Sequence, residues 1–148
     1  MANAINWESS PAITAYLSND LNALANAAKK IGAAINNSAD LDMYMDVELY
    51  VAVQGGARSA GAYVAIYLIT SVDGTNYGYG DDSTVPPASS LACALPLDAA
   101  TTARYVTSRP FLVPPGKFKL LVENMTGQAF KADNTTTLGY RLYSEEIQ

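Results

Sequence analysis

Residues 41–53 read LDMYMDVELYVAV. Leu41, Met43, Met45, Val47, Leu49, Val51 and Val53 alternate with Asp42, Tyr44, Asp46, Glu48, Tyr50 and Ala52. A period of two puts each set on its own face of a β-strand, whereas a helix would scatter both sets around its axis. The stretch therefore predicts a half-buried strand, and it sets the period for everything that follows. Next comes QGGARSAG (54–61), with three glycines, then AYVAIYLIT (62–70), where Val64, Ile66 and Leu68 alternate with Tyr63, Ala65 and Tyr67. Two such runs with a loose Gly-rich connection predict an antiparallel pair.

Residues 71–90 (SVDGTNYGYGDDSTVPPASS) form a turn-rich loop, with Asp73-Gly74 as a tight-turn dipeptide and Pro86-Pro87 keeping its end extended. Short strands are predicted at Leu91–Leu97, Ala103–Ser108, Lys117–Glu123, Gln128–Ala132 and Thr136–Ser144, with Pro114-Pro115-Gly116 as a turn before the third of these. Many short strands with Gly, Pro and Asn punctuation, and no room for βαβ crossovers, indicate a mainly β chain: an antiparallel, jelly-roll-like β-sandwich.

Upstream of residue 41 the composition changes. Residues 1–40 are rich in Ala and Asn and predict an N-terminal arm distinct from the 41–148 sandwich domain. Within the arm, Leu17, Leu21, Leu24, Ala28 and Ile31 recur at helical spacing. Ser18 stands where an N-cap would, Lys29 and Lys30 where the C-terminal dipole favours cations, and Gly32 where a helix stops. A short helix over about 18–30 follows.

Composition excludes several chemistries. The 148 residues include no His and one Cys, at 49% hydrophobic and 16% charged. Absence of His removes the commonest general base and the Ser-His and Cys-His nucleophile pairs, and a lone Cys cannot make an intrachain disulfide. Cys93, among small apolar neighbours, reads as a buried, inert thiol. The net charge of −5 argues against nucleic acid or anionic lipid as partner. Lys117-Phe118-Lys119 is too short a basic strand to serve as a nucleic-acid platform. The N-terminal stretch lacks the basic and apolar regions of a signal peptide, and the longest apolar run is Ala62–Ile69. Sequons at Asn36, Asn124 and Asn134 read as chance matches.

Four groupings could carry chemistry. Asp42, Asp46 and Glu48 share one strand face, and Asp46 with Glu48 could form a glycosidase pair, although a solvated polar face accounts for them better. Asp73, Asn76, Asp81 and Asp82 supply oxygen ligands within ten residues, but their spacing departs from calcium loops and reads as a solvated turn. No metal or other cofactor is expected. Tyrosine is the third feature: ten Tyr against three Phe and one Trp. Tyr44, Tyr50, Tyr63 and Tyr67 on the strands, with Tyr77 and Tyr79 on the loop, make a candidate interaction surface suited to protein or carbohydrate. Charge is the fourth. Residues 1–100 hold three basic and ten acidic side chains, net −7, and residues 101–148 hold six and four, net +2. Arg104, Arg109, Lys117, Lys119, Lys131 and Arg141 could meet the acidic part of another copy or pair within the chain.

Three stretches together carry a resemblance: TAYLSNDLNALANAAKKIG (14–32), YLITSVDGTNYGYGDD (67–82) and RPFLVPPGKFKLLVENMTG (109–127). Over roughly residues 14–145 the chain resembles small virion proteins of tailed bacteriophages, of the type that decorate or cement the capsid. The resemblance implies a non-enzymatic structural protein on the capsid surface, assembled in the host cytoplasm. Its implied partners are the major capsid protein and other copies of itself, in a homo-oligomer. It implies no catalytic residue and no cofactor. The alternative from another class is a carbohydrate-binding or receptor-recognition module of a phage tail or fibre, using Tyr77, Tyr79, Asp81 and Asp82.

Overall fold

A computed structural model describes residues 5–7, 11–52 and 54–147, with side chains for 11–52 and 54–145. The chain is mainly β. Its strands are β1 (Ile5–Trp7), β2 (Thr14–Leu17), β3 (Lys29–Ile31), β4 (Ile35–Asn36), β5 (Tyr44–Val51), β6 (Tyr63–Thr70), β7 (Leu91–Pro96), β8 (Arg104–Thr107), β9 (Phe111–Leu112), β10 (Lys117–Met125), β11 (Thr137–Tyr143) and β12 (Glu145–Ile147). A front sheet runs β2-β11-β5-β8, with β9 also on β5. A back sheet runs β3-β10-β6-β7, with β4 also on β10, and β1 pairs with β12 separately. All pairings are antiparallel.

The sheets share one core. Met45, Val47, Leu49, Val51 and Leu138 from the front meet Val64, Ile66, Leu95, Phe118, Leu120 and Val122 from the back in one buried cluster. Burying each such aliphatic side chain contributes about 1.5–3 kcal/mol. The arrangement is sandwich-like. The alternation in 41–53 is realised over Met45–Val51, all buried at the core positions. Leu41 and Met43 precede the strand and stay exposed, at 55% and 49%. Val53 lies outside the described residues.

Three expectations are corrected. First, β5 and β6 do not pair: β5 sits between β11 and β8, and β6 between β10 and β7. Alternation states which face is buried, not which strand lies alongside. The connection instead crosses between sheets, fastened by Arg58.

Second, no α-helix covers 18–30. One 3₁₀ turn spans Asn19–Leu21, Ser18 makes no side-chain cap, and Lys29–Ile31 is a strand. Ala23 and Ala27 lie at positive φ (53° and 61°), which ends any helix there. A three-turn helix with Asn at several positions is marginal alone. The segment gains more by burying Leu21 and by bonding β10: Ala27 N donates to Asn124 O at 2.6 Å, and Asn124 N to Ala28 O at 3.0 Å. Leu17, Leu21 and Ile35 join the shared core, so residues 14–36 supply strands to both sheets. Gly32 is not a helix stop. Tyr16 lies against it, where a Cβ would come within 2.3 Å of the ring, and Leu120 N donates to Tyr16 Oη at 2.9 Å.

Third, Gln128–Ala132 is not a strand. Phe130 is buried and its N donates to Leu24 O at 3.0 Å, so the segment plugs the core beside the 21–28 turns instead of extending a sheet.

Candidate interaction surface

The outward positions of β5 are Tyr44, Asp46, Glu48 and Tyr50, and register places partners directly across. Tyr143 of β11 faces Tyr44, Arg141 faces Asp46, Gly139 faces Glu48. From β8, Thr107 faces Glu48 and Tyr105 faces Tyr50. The front sheet's outer face thus carries tyrosine pairs at both ends and charge between. Tyr44 and Tyr143 stack with centroids 5.9 Å apart, and Tyr50 and Tyr105 sit at 4.6 Å. Tyr105 is 70% exposed.

In the middle, Arg141 donates from Nε and Nη2 to Asp46 Oδ2 at 2.9 and 2.7 Å. Tyr143 Oη donates to Asp46 Oδ1 at 2.8 Å. Burial first, and then the hydrogen bond to Asp46, push the Tyr143 phenol up to about 12. Ile13 packs over Gly139, where a Cβ would come within 2.5 Å of Ile13 Cγ2, and a depression of about 260 Å³ is lined by Ile13, Asp46, Glu48, Thr107 and Arg141. Asp46 is therefore a paired carboxylate, bound to a guanidinium and a phenol. Asp42 lies just before β5, where its backbone bonds to Asn37 and Ser144 Oγ donates to its Oδ1 at 3.5 Å.

The six tyrosines singled out in the sequence do not form one surface. Tyr44 and Tyr50 face out from the front sheet. Tyr63 and Tyr67 face out from the back sheet, on the opposite side of the molecule, since Val64, Ile66 and Leu68 take the core side. Tyr67 Oη donates to Glu123 Oε2 at 2.9 Å, and burial with that bond pushes its phenol up to about 12. Lys29 pairs with the same carboxylate at 3.4 Å. The 71–90 loop folds back over this side. Lys119 Nζ lies 4.2 Å over the Tyr77 ring, and Gly80 packs against Ile69. Tyr79 projects, 70% exposed.

Asp73, Asn76, Asp81 and Asp82 do not converge. Asp73 accepts from Thr75 N, Asn76 N and Asn76 Nδ2, which holds its carboxyl well below the usual range. Asp81 accepts from Ser83 and Thr84 and is lowered to about 2 by those bonds. Asp82 turns to Lys30 Nζ at 2.8 Å and Ile31 N at 2.7 Å. Among the described residues no group of three or more acidic or Cys side chains could hold a metal ion. Cys93 is half-buried against the core, and burial pushes its thiol up to about 11.

Charge is paired within the chain at several of the C-terminal basic residues: Arg141 with Asp46, Arg104 with Asp98, Lys131 with Asp133. Of the sequons, Asn124 is fully buried, its Nδ2 donating to Leu24 O and Gln128 O. No helix among the described residues is long and apolar enough to cross a membrane.

Sequence reasoning missed Tyr105, Thr107, Arg141 and Tyr143 as members of this face. A signal existed for two of them: in TTLGYRLYS the period of two already sets Arg141 and Tyr143 opposite Leu138, Tyr140 and Leu142. What the alternation lacked was the neighbour. No protein-family model matches the chain, and neither a curated protein nor a solved structure matches it.

Proposed function

We propose that the chain is a jelly-roll sandwich acting without catalysis as a virion protein of a tailed phage, binding and stabilising the capsid lattice alongside other copies of itself. The observation that carries this reading is the strand order. Apart from the β1–β12 pair, and with β3–β4 and β8–β9 each counted as one interrupted edge strand, eight strands of the described residues lie four to a sheet, and every connection among them except β6 to β7 changes sheet. That wiring supports a jelly roll, an architecture that recurs in viral capsid and lectin domains. The front face supports a protein-binding role. Tyrosines offer large rigid area at low entropic cost, and the Asp46–Arg141 pair supplies polar contacts between them.

The test is co-sedimentation of purified protein with expanded phage heads lacking it, followed by heating or chelation of the loaded heads. Binding with raised resistance is expected, and a Tyr50→Ser, Tyr105→Ser double variant of unchanged fold should bind more weakly. Heads whose stability is the same with and without the protein would refute the reading.

A second reading, glycan recognition, is favoured by the depression beside Ile13, where Asp46, Glu48, Thr107 and Arg141 line a cavity of about 260 Å³ on the face that carries the tyrosine pairs. The loop residues Tyr77, Tyr79, Asp81 and Asp82 do not support it, since Tyr77 and Asp82 are engaged by Lys119 and Lys30. A glycan array with hits lost on Glu48→Gln would favour this second reading, and an empty array beside firm head binding would dismiss it.

A further inference from the structure

We infer that the front-face depression receives a lysine or arginine side chain of the partner protein, whose positive head pairs with the Glu48 carboxylate. The inference rests on the proposed reading, in which this face binds a protein, and names the chemistry of the contact. Glu48 projects from the middle of β5 and is half-buried. Its cross-strand neighbours are Gly139 on β11 and Thr107 on β8, so register sets no cation opposite it on either side. Among the described residues it has no hydrogen-bond or ion-pair partner. Asp46, the other carboxylate lining the depression, is already engaged: Arg141 donates to it twice and Tyr143 once. With Asp46 and Glu48 against Arg141, the lining carries a net charge of −1, and the uncommitted carboxylate is that of Glu48. A carboxylate drawn partly out of water is best served by an opposite charge that also donates hydrogen bonds.

Size and neighbours narrow the cation to a protein side chain. The volume of about 260 Å³ falls below the ~300–1,000 Å³ of clefts that hold whole small molecules, and it suits one inserted side chain. A metal ion would need several oxygen ligands, and one uncommitted carboxylate does not supply them. Ile13, 51% exposed, forms an apolar wall. Tyr50 and Tyr105 stand one outward position along from Glu48 and Thr107, each about 7 Å away on its own strand. Lysine and arginine match that order of surfaces, because their aliphatic stems cover apolar and aromatic area while the head reaches the carboxylate. A second copy of this chain is the poorer occupant. Two chains at −5 each repel, whereas the same field draws in a partner with a basic surface.

The experiment is amide NMR of the full chain, titrated to tens of millimolar with the N-methylamides of Nα-acetyl-lysine and Nα-acetyl-arginine. The lysine probe acetylated also at Nε is the neutral counterpart, and methyl glucoside is the sugar probe. Shifts are expected at Glu48, Thr107 and Gly139 with the two cationic probes, weakening with salt, and none with the other two. Glu48→Gln should remove these shifts. Thr107→Lys should remove them too, by setting an ammonium of this chain opposite Glu48. Both side chains point off the sheet, so amides outside the face should keep their wild-type positions in either variant. Absent shifts, equal shifts with the neutral lysine probe, shifts that survive Glu48→Gln, or shifts with methyl glucoside alone each overturn the inference. Cationic-probe binding by a protein that ignores heads removes the proposed function and keeps the inference. Head binding that Glu48→Gln leaves unchanged overturns the inference and keeps the function, whereas a loss of about tenfold supports both.

Discussion

Replacing Arg58 by Met should be among the costliest single changes in this chain. Arg58 is 2% exposed, in the connection between β5 and β6. Its Nε donates to Asp98 O at 2.9 Å, Nη1 to Gln54 Oε1 at 3.2 Å, and Nη2 to Asp98 Oδ1 at 2.8 Å and Thr102 O at 3.0 Å. One guanidinium thereby ties the β5–β6 connection to the β7–β8 connection. Methionine keeps most of the aliphatic stem but none of the donors. Each buried acceptor left unmade costs about 1–3 kcal/mol, partly offset because the guanidinium no longer has to be desolvated. Breaking a buried ion pair from one side costs about 3–5 kcal/mol. The low end applies here, since Asp98 is 45% exposed and keeps Arg104. A loss of about 3 kcal/mol corresponds to a fall in Tm of about 6–12 °C in a domain of this size. Urea and thermal unfolding of R58M beside R104M provide the assay. Arg104 is 41% exposed, so its loss should cost under about 1 kcal/mol. The deficit of R58M should also persist in 1 M salt, because a buried pair is screened little. An R58M protein within about 1 kcal/mol of wild type, or no worse than R104M, would refute the argument.

Other outcomes follow from the same geometry. Arg58 first, and Arg104 after it, hold the Asp98 carboxyl down from 3.8 to about 2. A carboxyl depressed on folding stabilises above its unfolded value and loses that contribution as pH falls through its folded one. The melting deficit of Asp98→Asn should therefore shrink between pH 5 and pH 2, and a constant deficit would contradict the assignment. Ala27→Gly should raise stability by about 0.5–1 kcal/mol, because glycine accepts without strain the positive φ that is unfavourable for alanine at this position. In a helix the same change would cost about 1 kcal/mol, so the sign seen in urea titration separates the two structures. Asn124→Ala should cost about 1–3 kcal/mol by thermal unfolding, since it leaves the buried Thr126 N without its acceptor, while Leu24 O and Gln128 O each lose one donor but keep Phe130 N and Thr126 Oγ1.

The candidate face is half legible in the sequence. Tyr44, Asp46, Glu48 and Tyr50 can be assigned to one side of a strand from spacing alone, because side chains in a strand alternate whatever lies beside it. Arg141 and Tyr143 join that face only through the β5–β11 register, which brings together residues 95 and 97 positions apart. The acidic loop is recognisable as rich in turns from its Asp, Gly and Pro content. Its tertiary role, folding over the back sheet through Tyr77 and Asp82, depends on Lys119 and Lys30 arriving from other strands.

The sequence by itself determined the class of structure and which face of each long strand is apolar, because period and turn chemistry are local properties of the chain. Tertiary structure decided the rest. It chose β11 and β8, not β6, as neighbours of β5, turned the Ala-rich segment from a marginal helix into turns and an edge strand, and buried Arg58 where its spacing signalled nothing. In each case a local preference worth under about 1 kcal/mol per residue met long-range burial or hydrogen bonding worth several. The long-range interactions prevailed, and they are written in no single stretch of the chain.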